Sequence, residues 1–189
     1  MSIIESLKYN IAHRFEFINS YSSNRLKEYI SSGQIKPYIQ WDAARKRVVF
    51  PQADLSDKSI ILNEKFLEYL WMLIYSSWAI FEEDHMKREI NETKGGNEII
   101  NRDIIKRAED LRVFCRSFEF LKNDWPTELP NPQKPIELDK FYTERVNGIF
   151  IDSVALFLYH AFAHLVLGHT STSEIDWVTS ISKEKDADE

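Results

Sequence analysis

At 189 residues, with 24 basic and 30 acidic side chains for a net charge of −6, the chain has the length of one domain with a small appendage and lacks the basic excess by which a protein neutralises nucleic-acid phosphates. Hydrophobic residues make up 43% and charged residues 29%, an ordinary globular mix, and 5 Trp, 8 Tyr and 12 Phe supply a sizeable core. Low Gly (5) and Pro (6) exclude collagen-like and low-complexity classes and favour helix, while the lone Cys115 excludes an internal disulfide framework and suits a reducing, cytoplasmic compartment.

Met1 to Arg14 has no long apolar stretch and no small-residue cleavage site, so no signal peptide is read there. Ile3, Ile4, Leu7 and Ile11, then Leu26, Tyr29 and Ile30, repeat at helical spacing and predict two helices, broken around Asn19–Ser23 and ended by Gly33. The β-prone runs 37–41 and 47–50 flank Asp42–Lys46 and predict a hairpin, with Ser59–Leu62 as a third strand. Asn63 is the expected N-cap of an apolar helix running through Phe81. The polar stretch 82–97, with Gly95-Gly96, is expected to be a flexible excursion. A helix over roughly 98–121 follows. Four prolines between Trp125 and Pro135 then dictate an extended connection, and 139–169 returns to helix with an expected break at Gly148. Residues 149–168 are apolar enough to raise a membrane span, but Asp152, His160 and His164 argue for a buried helix of a protein that does not enter a membrane.

Three of the five histidines lie in that last helix, at His160, His164 and His169. His160 and His164 are four residues apart and share a helix face. On the residues alone two readings stay open. The pair is either core histidine with satisfied hydrogen bonds, or two ligands that reach one metal at about 2.0–2.1 Å. His169, nine residues from His160, falls on the far side of a continuous helix and reads as surface, or at best as a residue that supports a ligand from behind.

The run His160-Ala161-Phe162-Ala163-His164 resembles the zinc-peptidase motif H-E-x-x-H with Ala161 in the place of the glutamate. The continuation Leu165–His169 resembles the helix tail in ImmA/IrrE-type peptidases and in the Lit-type phage-exclusion peptidases, and the run 63–81 with its acidic sequel resembles the Lit-like group more closely. Glu184-Lys185-Asp186-Ala187-Asp188 resembles the E-x-x-A-D element of gluzincins. The resemblance implies an α+β, mostly helical fold, in which a small hairpin or sheet packs on a zincin-like helical core. It implies Zn2+ as cofactor, with His160, His164 and Glu184 as ligands and Asp188 orienting a ligand histidine. Glu174 and Asp176 are fallback third ligands. The metzincin pattern fails, because Leu167 and Thr170 stand where Gly and His are needed.

Ala161 occupies the general-base position and has no proton acceptor. The implied activity is a zinc endopeptidase, here disabled, either by an engineered Glu-to-Ala change or as a natural pseudoenzyme. The implied partners are a protein substrate, such as a translation factor or a regulatory protein, and a phage-derived activator. The competing expectation is a non-enzymatic helical interaction module, an immunity or sensor protein in which the two histidines are core residues. With Glu184 five residues from the end, the reading also expects a single domain over 1–189 that is cut short at its C-terminus, with the metal weakly held or absent.

Overall fold

Three of the described helices begin where the side chains of Asn19, Asn63 and Asn101 cap them. In the computed structural model, which describes residues 2–117, 121, 124–169 and 185–187, a 3-10 turn (Glu5–Leu7) leads into α1 (Lys8–Glu16). After a short break α2 (Ser20–Ser31) starts at Asn19, whose Oδ1 accepts the Ser22 amide at 2.8 Å. Gly33, at φ +71°, closes this pair.

Three short strands follow: β1 (Ile39–Asp42), β2 (Gln52–Asp54) and β3 (Ser59–Asn63). Their order is β1-β3-β2. β3 runs parallel to β1, with Ile39 opposite Ile60, and antiparallel to β2, with Ala53 also opposite Ile60. The expected hairpin between 37–41 and 47–50 therefore does not form. β3 carries the buried Ile60 and Leu62 and takes the centre, where both its edges are paired. Residues 47–50 join no ladder and are held instead by a side chain. Val49 N donates to Asn63 Oδ1 at 3.3 Å, and Asn63 Nδ2 donates to Arg45 O at 3.4 Å. The same Oδ1 accepts the Phe66 amide at 2.9 Å, so Asn63 is also the expected N-cap of α3 (Glu64–Ile80).

Beyond α3 the backbone widens into a π-helix (Phe81–Met86) and resumes as α4 (Lys87–Thr93). Most of the stretch read as an excursion is thus helical. The buried Glu83 carboxylate accepts Lys87 Nζ at 2.8 Å, the Asn101 amide at 2.7 Å and the Tyr142 hydroxyl. These bonds give the polar stretch an anchor that its composition does not show. α5 (Arg102–Ser117) starts at Asn101, whose Oδ1 accepts the Asp103 amide at 3.1 Å. The proline-rich connection is not helical, as expected, but it turns rather than running extended. The Leu129 amide donates to Pro126 O at 3.3 Å and the Gln133 amide to Asn131 Oδ1 at 2.8 Å, and a 3-10 turn (Glu137–Asp139) precedes α6 (Lys140–Leu167). α6 passes through Gly148 without a break. By length and composition alone, residues Glu137–Leu167 are long and apolar enough to cross a membrane.

The chain forms two compact units. One holds Met1–Leu7 and Leu67–Phe150, the other Lys8–Phe66 and Ile151–Glu189. In the first, Trp71 and Tyr75 stack at 5.1 Å between ring centroids, and the Trp71 indole Nε1 donates to Asn147 Oδ1 at 2.8 Å. In the second, Phe15 of α1, Tyr29 of α2 and Phe66 at the start of α3 pack their rings on the C-terminal half of α6.

Candidate metal centre

Aromatic contacts from three directions set the rotation of the C-terminal half of α6. Phe15 of α1 lies 4.9 Å from the Tyr159 ring, and Tyr159 Oη donates to the Phe15 carbonyl at 2.7 Å. Tyr29 of α2 meets Phe162 edge-on at 5.6 Å. Phe66 meets Phe157 edge-on at 5.2 Å, with Phe50 at 5.8 Å from the same ring. Arg14 of α1 pairs with Asp152 at 2.6 Å on the surface. Aromatic pairs of this kind are worth about 0.5–1.5 kcal/mol each beyond their buried area, so the helix has little freedom to turn.

This rotation leaves His160 and His164 together and half-buried. Their Nε2 atoms are 3.0 Å apart, with ring centroids at 4.6 Å and the planes at 80°. Two nitrogens that each lie about 2.0–2.1 Å from one tetrahedral ion are separated by roughly 3.3 Å. The contact is at hydrogen-bonding distance, as core histidines would have it, and it is also close to the separation that one ion requires, imidazole being a donor that suits zinc. The chemistry and spacing of the two rings are thus compatible with the ion that the motif implies.

His169 lies nearer the pair than an unbroken helix would carry it. α6 ends at Leu167, and Gly168 at φ +68° turns the chain back. The Gly168 amide donates to Leu165 O at 3.4 Å and the His169 amide to His164 O at 2.9 Å, the paired bonds of a Schellman cap. The cap carries the His169 ring to 5.6 Å from the His164 ring. Its Nδ1 is buried without a hydrogen-bond partner among the described residues. The helical wheel put this residue on the far side because it assumed an unbroken helix. Gly168 was the available signal, since a Schellman cap brings the residue after the glycine against the last turn.

Ala161 is buried, 1% exposed, between the two histidines in sequence. Glu184, Asp188, Glu174 and Asp176 lie outside the described residues. Residues 185–187, next to Glu184, are helical, and Ala187 is buried. Among the described residues no three His, Cys, Asp or Glu side chains form a group that could hold an ion. What the described site offers is a convergent histidine pair with no carboxylate at position 161.

A family model described as Peptidase U49 matches residues 60–189, well over half of the chain, including His160, His164 and Glu184. No curated protein and no solved structure matches the chain significantly.

Proposed function

The chain belongs to the peptidase U49 family, and from that premise we propose that it is a zinc-dependent endopeptidase of the Lit-like phage-exclusion kind, held in a disabled form by Ala161. The observation that carries the zinc assignment is the 3.0 Å convergence of His160 Nε2 and His164 Nε2 inside the matched region. His160, His164 and Glu184 would hold the ion, with Asp188 orienting a ligand histidine. Bound there, zinc supplies Lewis-acid polarisation of a scissile carbonyl and lowers the pKa of its water.

The chain's own contribution is to fix the two imidazoles on a clamped helix and to keep water from the apolar side of it. It does not supply proton transfer. A methyl group at position 161 can neither take a proton from water nor pass one to the leaving amine, and that function contributes about 10²–10⁴-fold. Residual activity at most is expected. The substrate class is a host protein such as a translation factor, met in the cytoplasm, with a phage-derived component as the trigger.

Metal analysis and one substitution test this. The purified chain should contain zinc, and His164→Ala should lose it. Ala161→Glu should restore chelator-sensitive proteolysis. Because Ala161 is buried, Ala161→Gln serves as the size-matched control and should fold like the Glu variant yet stay inactive. An Ala161→Glu protein that holds stoichiometric zinc and cleaves no candidate substrate would sink the disabled-peptidase reading. A chain that purifies metal-free and ignores chelators favours the interaction module instead.

A further inference from the structure

The compact unit that holds α5 has a second feature, remote in sequence from the histidines. A groove of about 690 Å³ opens between α3, the π-helix, α5 and α6, within the roughly 300–1,000 Å³ of small-molecule sites. Leu73, Ile74, Ile80, Phe81 and Ile149 make its walls. Phe81 and Ile149 remain 45% and 37% exposed, apolar surface that the unit does not cover. Among the described residues no carboxylate lines the groove. Arg112 does, half-buried, and among the described residues it makes no ion pair or hydrogen bond. Trp78 lines it as well, and its indole Nε1 is buried with no acceptor among the described residues. Ser77 and His85 are the groove's other polar members. An apolar trough with one unpaired guanidinium and one unsatisfied donor is complementary to a ligand with an apolar body and a single acidic end.

We propose that this groove binds an aliphatic carboxylate of medium chain length, its carboxylate on Arg112 and its chain along Ile74, Phe81 and Ile149. A guanidinium takes a carboxylate through two parallel hydrogen bonds. The choice of an aliphatic acid over a peptide rests on the walls. They are helices whose backbone groups are already bonded internally, so a peptide's amides would find no partners there and would pay for their desolvation. An alkyl chain has no such groups.

Calorimetric titration of the full chain with decanoate, and with 1-decanol as its neutral counterpart, tests this. Decanoate should bind saturably at one site. Arg112→Gln should weaken decanoate by at least about tenfold while leaving 1-decanol unchanged, and Arg112→Lys should recover part of the loss. Arg112 has no partner to lose, so both variants should melt like the parent. The indole N–H resonance of Trp78, assigned by its disappearance in Trp78→Phe, should shift on addition of decanoate. No saturable binding, or equal decanoate affinity in Arg112→Gln, overturns the proposal. So does an apolar peptide with a free C-terminus that binds where decanoate does not.

Discussion

Asp139 is buried, 1% exposed, and meets three donors at once. Arg107 Nε lies 2.9 Å from Oδ1, Arg107 Nη2 lies 2.5 Å from Oδ2, and the Tyr75 hydroxyl donates to Oδ1 at 3.0 Å. The hydrogen bond to Asp139 raises the Arg107 pKa further, and burial together with the Asp139 carboxylate keeps the Tyr75 phenol neutral. Removing one partner of such a pair leaves the other charge uncompensated. Asp139→Ala should therefore cost about 3–5 kcal/mol of stability, and Tyr75→Phe only about 1 kcal/mol, both read from urea melts at constant slope. Glu83 gives a pH signature. Burial would push its carboxyl up, but the bonds from Lys87, Tyr142 and the Asn101 amide outweigh it and hold it below the ordinary 4.5. A carboxylate whose pKa is lower folded than unfolded stabilises fully above the unfolded value and loses that contribution as pH falls through the folded one. The melting temperature should thus drop as pH is lowered below about 4.5, and the drop should be shallower in Glu83→Gln. A parallel fall in both proteins would contradict this role. None of these partners was legible in the sequence, because Arg107, Asp139 and Glu83 sit among surface-like charged residues and only the fold buries them.

The elements with strong periodicity or a clear cap were legible. α3 begins at Asn63, the cap the sequence singled out, whereas α2 starts at Ser20, inside the stretch 19–23 that the sequence read as a break. Strand pairing was not legible, since short apolar runs carry no record of which partner they take. The histidine pair needed only spacing on a helix, whereas the place of His169 needed the end of that helix. The cap itself can be tested. No described atom lies within 4 Å of a Cβ added at Gly168, so Gly168→Ala meets only the cost of a left-handed backbone, about 1 kcal/mol. The same substitution should loosen the turn that seats His169 against His164. Zinc affinity of the purified chain should weaken, while the helical circular dichroism signal stays unchanged. Undiminished zinc affinity would mean that the cap contributes nothing to the site.

Cys115 reports on the molecule as a whole. It is buried, and burial pushes its thiol up to about 11, against a smaller opposing pull from Arg116. A disulfide reagent at pH 8 should find almost no reactive thiol in the native protein and one per chain in denaturant. Rapid native labelling would show that the unit containing α5 opens readily. Length suggests one domain with a small appendage, and within the chain the contacts group into two compact units. Each unit is assembled from two separated stretches of sequence, and no composition shift or linker marks their limits. The strand order has a further consequence, in time rather than space. The centre strand is the last of the three to be made, and β1 and β2 pair only with it. As the chain leaves the ribosome, the first two strands emerge with no template to zip onto. The sheet can close only after Asn63, which is also the residue that starts α3, has cleared the exit tunnel. Sheet closure and the capping of that helix then wait on the same residue.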